Sequence, residues 1–264
     1  MRHLASSLLA AVVVTWRVLP ETLDVRTRIV HLVVLPAVWS SFYVAMVHGA
    51  GPSLPSPGDG VAAAAAVAGL GSTVAVAVLF VEDRFESTAP LLVAASGGTG
   101  AVWAGRVLTV CALSTVTAVV GVVPVLFFTG APRGPGGWAT TAVVLVCAAP
   151  AGIGPGLVLG AVGLRLPDAL LPVTAAEYLL PLLVGVVAPL DDVPGVIRPL
   201  AVAVPLTHVV RAAREGAVHG WDGTVDEAFA VAAIGVVAWT ATAMIVHRWC
   251  AAAARRSGVR DEAL

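Results

Sequence analysis

Residues 61–81 read VAAAAAVAGLGSTVAVAVLFV, 21 positions without a charge. A helix needs about 20 mostly apolar residues to cross the hydrocarbon of a bilayer. The run is continuous and shows none of the alternation of barrel strands, so Val61–Val81 reads as a membrane-spanning helix. Five more stretches qualify: Ile29–Val47, Val107–Phe128, Trp138–Gly163, Ala169–Val187 and Ala228–Trp249. Six spans predict an all-α integral membrane protein. It forms one domain over residues 1–264, with the spans between 29 and 249 and a cytoplasmic tail at 250–264.

Composition agrees. Hydrophobic residues make up 58% of the chain, charged residues 12%, and mean hydropathy is +0.94. Soluble domains run at about 45–50% and about 25%. The bilayer is therefore the main solvent. A net charge of -1 argues neither for nor against an acidic partner. All 15 basic residues are arginine. Without lysine, neither a GxxxxGK[ST] phosphate loop nor a lysine Schiff base can form. Cys111, Cys147 and Cys250 have no CxxC spacing and read as small buried hydrophobes. His31, His48, His208, His219 and His247 lack metal-ligand spacing, and no HExxH occurs. No catalytic, cofactor or metal set is expected from this chain. The tail arginines Arg255, Arg256 and Arg260 read as charge kept on the cytoplasmic side, not as a nucleic-acid patch.

Arginine placement sets the orientation. With the N-terminus inside, eleven arginines fall on inner segments, and four (Arg133, Arg198, Arg211 and Arg214) on outer loops. Both termini are thus expected in the cytoplasm. The run Leu8–Val14 has the look of a signal-peptide core, but it meets Thr15-Trp16-Arg17 and no small-x-small cleavage site. Residues 1–28 read instead as a helix lying along the cytoplasmic surface.

Three features stand out within the spans and loops. Gly152, Gly156 and Gly160 recur every four residues, so they share a helix face that admits a close neighbour. Pro150 and Pro155 are expected to kink the same span. Ordinary packing and a moving element both fit. Glu177 is the one acid well inside a span, where ionisable groups face an interior or a cavity. A place on a substrate path or gate fits, and so does a structural bond at a subunit seam. Finally, Ala188–Val225 is too long for a turn and too charged to cross. Pro199 and Pro205 break it into short pieces, which suit a pair of helices dipping into the outer leaflet and returning.

Two segments carry a further signal. Glu82-Asp83-Arg84-Phe85-Glu86-Ser87-Thr88-Ala89-Pro90-Leu91-Leu92 follows the second span, and Gly105-Arg106 closes that segment. Later come Gly185, Pro189-Leu190-Asp191-Asp192, Pro194-Gly195, Arg198-Pro199-Leu200 and Pro205-Leu206-Thr207, in register. Together they resemble the permease subunits of type-2 ABC exporters, the family that includes drug-resistance and polysaccharide-export permeases. Ser87, Pro90 and Ser96 depart from its usual glycine, acid and proline.

The resemblance implies a six-span permease in a bacterial inner membrane that works with a separate cytoplasmic ATPase dimer holding the ATP and Mg. Glu82, Asp83, Arg84, Glu86 and Thr88 would form the helix on which that ATPase pushes. Gly185, Pro189, Pro194, Gly195, Arg198, Pro199, Pro205 and Thr207 would shape the re-entrant outer helices. A second permease, identical or different, would complete the path, with the Gly152, Gly156 and Gly160 face available for contact. The apolar lining leans towards a hydrophobic or amphiphilic small-molecule or lipid-like cargo, such as a drug or antibiotic. Two other readings stay open. A membrane-embedded lipid-modifying enzyme would need acids or histidines clustered at one face, where the loop between spans four and five offers only Arg165 and Asp168. A non-transporting immunity or partner protein would use the same fold.

Overall fold

The computed structural model describes residues 2–19, 24–49, 54–85, 99–187, 190 and 194–256. Among the described residues there are helices and no strands: α1 (Arg2–Val18), α2 (Val25–Gly49), α3 (Pro57–Phe85), α4 (Thr99–Thr129), α5 (Gly134–Gly163), α6 (Leu171–Leu183), α7 (Arg198–Ala203), α8 (Pro205–His219) and α9 (Gly223–Arg256). Five of these helices contain stretches long and apolar enough to cross a bilayer: Val25–Gly49, Pro57–Phe85, Val102–Thr129, Gly134–Gly163 and Gly223–Trp249.

The bundle is built around α3. Its alanine-rich start, Val61–Ala66, is fully buried. Small side chains let the neighbouring helices approach closely. The closest neighbour is α5, running in the same direction. A methyl added at Gly152 would strike the Gly69 carbonyl oxygen, and one at Gly156 would strike the Thr73 backbone. Gly160 leaves room for the Phe80 ring. The glycine face is thus filled by α3 of the same chain. That corrects its expected availability to a second permease: the contact is made within one polypeptide, because the bare backbone is what lets α3 and α5 touch.

Hydroxyls reinforce that seam. Ser72 donates to the Ala149 carbonyl at 2.9 Å and Thr73 to the Gly152 carbonyl at 2.9 Å. Pro155 removes the N–H that would meet the Ala151 carbonyl and so loosens this turn of α5, and the two hydroxyls add partners to the carbonyls on either side of it. α5 remains one continuous helix through Pro150 and Pro155.

Proline has a different consequence in α2. Val30–Val34 forms a π-helical turn, closed by the Leu35 N–H on the Val30 carbonyl, immediately before Pro36. Pro36 cannot donate back to residue 32 and crowds that carbonyl, and the wider turn relieves the crowding.

The expected first helix is present as α1, but it is packed on α4. Gly105 seats against Ala11 and the Leu8 carbonyl, and Leu19 is buried with Val76, Val110 and Leu113.

The expected fifth span, Ala169–Val187, is the main correction. Its helix, α6, has only 13 residues, about 20 Å of rise against about 30 Å of hydrocarbon. It ends beside Thr207, whose Oγ1 lies 3.5 Å from the Leu183 carbonyl oxygen. There α8 begins: Leu206 packs at Gly69 and at the Ala148 carbonyl, near the middle of α3 and α5. α8 then runs to the Asp59 end of α3, where Gly58 meets the Arg214 backbone and the Arg133 N–H bonds the Ala217 carbonyl at 2.9 Å. α6 and α8 therefore each cover about half the height of the bundle. Pro181 and the left-handed Gly185 (φ 77) stop α6 early.

Candidate functional site

Among the described residues, a polar cluster surrounds the C-terminal end of α3, which leads into residues 86–98. Asp83 is buried, and Arg106 of α4 grips it with both guanidinium branches, at 2.6 and 3.0 Å. A bidentate pair fixes orientation as well as distance. The Arg106 guanidinium also lies 5.1 Å from the Trp103 ring centroid. Trp103 stacks on Phe80 at 4.0 Å, and Phe80 meets the edge of His247 on α9 at 6.2 Å. Arg84 turns towards α5, donating to the Gly163 carbonyl at 3.4 Å and the Leu166 carbonyl at 2.7 Å. The last carbonyls of a helix have no partner within it, and their partial negative charge suits a cation. Beyond them, Arg165 sits 5.3 Å from the Trp249 ring of α9.

This geometry corrects part of the sequence reading. Asp83 and Arg84 do not present a polar face to the outside, because a buried carboxylate requires a cation and the end of α5 requires donors. Both side chains are committed to α4 and α5. Glu82 remains half-buried. Glu86 and Thr88 lie outside the described residues. The pair Gly105-Arg106 gains a physical meaning: the glycine admits α1 and the arginine holds Asp83.

The second motif meets at the junction of α6, α7 and α8. Val204 is extended (φ -85, ψ 120) and separates α7 from α8. Three carbonyls at the end of α7 are then taken by side chains from elsewhere. Thr207 Oγ1 donates to Ala201 at 2.7 Å, His208 Nε2 pairs with Val202 at 2.9 Å, and Trp239 Nε1 of α9 donates to Ala203 at 2.7 Å. Arg198 reaches the Leu190 carbonyl at 3.4 Å. Pro199 and Pro205 occupy first-turn positions, where a missing N–H costs nothing. Pro194 and Gly195 are exposed. Pro189, Asp191 and Asp192 lie outside the described residues. His208 and Trp239 carried no local sequence signal, since their roles depend on contacts across helices.

At the opposite end, Ser56 and Asp59 cap α3 reciprocally. The Asp59 carboxylate accepts from Ser56 N–H (3.1 Å) and Oγ–H (2.6 Å), and Ser56 Oγ accepts from the Asp59 N–H at 3.3 Å. The same carboxylate lies 3.5 Å from His48 of α2 and 3.5 Å from Arg214 of α8. One anion thus ties three helices together. Sequence reading did not single out this cluster: the S-x-x-D spacing is a signal that could have found the cap, whereas nothing local marks the ion pairing across 155 residues from Asp59 to Arg214.

Glu177 is exposed on α6, beside exposed Tyr178 and Leu179. Among the described residues no three histidine, cysteine or acidic side chains come together as a metal set.

A family model described as ABC-2 type transporter matches residues 10–218. The match takes in both motif segments and both ion-pair clusters, and it ends before α9. No curated protein matches the chain.

Proposed function

The chain belongs to the ABC-2 type transporter family, and from that premise we propose that it is the permease of an ATP-driven exporter, working as a pair of permeases with separate ATPase subunits. Membership makes it a multi-pass membrane component of an ABC transporter, not itself catalytic, and implies an ABC ATPase as partner. The pairing, the direction of transport and the cargo are our reading.

The observation that carries it is the wiring of the Asp83 end. A force applied at residues 86–98 would meet a helix end bonded to α4 through Arg106 and to the end of α5 through Arg84, with the Phe80 ring against the edge of His247 on α9. In this reading Glu82, Glu86 and Thr88 face the ATPase, while Asp83 and Arg84 pass the load inward. We read this end, with both termini, as cytoplasmic in a bacterial cell, and the arginine distribution supports that orientation. The Asp59 end is then outside, and α7 and α8 are the re-entrant outer helices.

Glu177 supports the pairing. An exposed carboxylate on an apolar helix is costly against lipid. A second permease facing α6 would cover it and place it on the shared path. The apolar exposed face of α6 suits a hydrophobic or amphiphilic cargo, of the kind drugs and antibiotics present.

Purification in mild detergent is expected to recover the chain with an ATPase subunit, and vesicles of that complex should move an amphiphilic dye only with ATP. Glu177→Gln is expected to lower transport and leave the complex intact. If the chain alone pumped against a gradient with nucleotide, or if transport by the complex ignored ATP, the proposal would fail.

A further inference from the structure

The open face of α6 runs through Leu171, Thr174, Tyr178 and Leu182, all exposed, while Val173, Ala176 and Pro181 are buried. With about 100° between successive residues, Glu177 falls on the edge between the two faces, beside Val173 and Thr174. An ionisable group on an apolar helix is costly unless something answers it. Among the described residues Glu177 makes no hydrogen bond and no ion pair.

A second unanswered group belongs to α2. The Glu177 charge is close enough to act on Tyr43. Tyr43 is only 8% exposed, and its hydroxyl also has no hydrogen bond among the described residues. A buried tyrosine usually finds a partner for that group. Carboxylate and phenol are thus within electrostatic reach yet unbonded, which leaves room for a ligand that bonds both. The Trp39 and Phe42 rings stand beside Tyr43, with centroids 6.0 and 6.2 Å away. Both are nearly half exposed, at 48% and 46%.

These groups select one chemistry. The carboxylate and the phenol oxygen both accept hydrogen bonds, and aromatic faces attract cations. The surrounding side chains suit hydrocarbon. A neutral ligand would leave Glu177 unanswered, and an anion would be repelled by it. We propose that Glu177, the Tyr43 hydroxyl and the Trp39 and Phe42 rings form a recognition site for hydrophobic amines in their protonated form, the ammonium donating to the carboxylate and to Tyr43 Oη. The assignment rests on the reading of α6 as part of the transport path, and it names the class of cargo.

The probes are a long-chain primary amine with a terminal diazirine, charged at neutral pH, and its N-acetyl derivative, which has the same chain and no charge. Saturable photolabelling of the full chain in phosphatidylcholine vesicles measures binding without ATP. Half-saturation by the amine is expected at about tenfold lower concentration than by the acetylated probe, the difference that a hydrogen bond to a charged group makes. Glu177→Gln should bring that ratio close to one, and Glu177→Asp should keep most of it. Tyr43→Phe, which retains the ring and loses the oxygen, should lower it part of the way. Equal half-saturation in the wild-type chain would overturn the proposal, as would an amine preference that survives Glu177→Gln. Dissociation of paired permeases in Glu177→Gln with the ratio unchanged would assign Glu177 to the subunit seam instead. Uptake of both probes by the ATPase complex separates this site from the exporter reading. Selective binding with no ATP-driven uptake of either probe contradicts the exporter and leaves the site standing, whereas equal uptake of both contradicts the site alone.

Discussion

Asp83 shows most directly how one residue constrains this protein. A buried carboxylate without a cation is worth avoiding at almost any cost in packing, and Arg106 supplies the cation in a two-bonded geometry. Asp83→Ala is expected to destabilise the protein by about 3–5 kcal/mol, because it strands the Arg106 charge. Arg106→Leu should do similar harm by stranding Asp83. The double variant should be less destabilised than the sum of the two, since no unpaired charge remains. Unfolding in detergent, followed by near-UV signals of Trp103 against Phe80, measures all three; strict additivity would show that the pair contributes no coupling. A hint of this pair was present in the sequence. Asp83 ends one span, Arg106 begins the next, and antiparallel neighbours bring such positions to the same level. What hydropathy could not reveal was that Asp83 faces inward, since that depends on Phe80 and Trp103 filling the space around it.

Among the elements, the long apolar helices were legible and the broken crossing was not. Val61–Val81 and Trp138–Gly163 sit inside α3 and α5 because uninterrupted apolar runs leave only one way to satisfy the backbone in lipid. Ala169–Val187 has the same hydropathy, yet its helix stops at Leu183. A hydropathy window does not weigh Pro181 or the left-handed Gly185, and it cannot see that α8 completes the height. The price of such a break is a set of orphan carbonyls at mid-height. Thr207, His208 and Trp239 answer for those of α7. Thr207→Val keeps the side-chain shape and removes one of two hydrogen bonds on the Ala201 carbonyl, which retains the Val204 N–H at 3.2 Å, a loss of about 0.5–1.5 kcal/mol. Hydrogen exchange over residues 198–204 should speed up in that variant, with α3 and α5 unaffected. Equal exchange in both proteins would mean that backbone packing alone holds α7. Gly152→Ala probes the other kind of junction. Its methyl collides with the Gly69 carbonyl, so α3 and α5 must separate, at about 1–3 kcal/mol for an overpacked contact.

At the scale of the whole molecule, α3 is the part that joins the two ends. It is an unbroken helix of 29 residues, about 43 Å long, pinned at Asp83 to α4 and at Asp59 to α2 and α8. Being mostly buried and locked to α5 by Gly152 and Gly156, it resists bending under a push and passes it on. A load delivered at residues 86–98 would then shift the Asp59 end, and Arg214 would carry that shift into α8. The two pins should therefore fail differently. Arg106→Gln loosens the end where force enters, so nucleotide hydrolysis should continue while transport per ATP falls. Arg214→Gln releases α8 alone. Cargo should still stimulate the ATPase, because the Asp83 end is intact, but the transport-to-hydrolysis ratio should drop, and Asp59→Asn should not lower it further once Arg214 is gone. Measuring both rates in the same vesicles separates the cases. Were Arg214→Gln to keep the wild-type ratio, the motion of α3 would not reach α8 through this ion pair, and the Asp59 cluster would be a fastening of the fold with no part in the transport cycle.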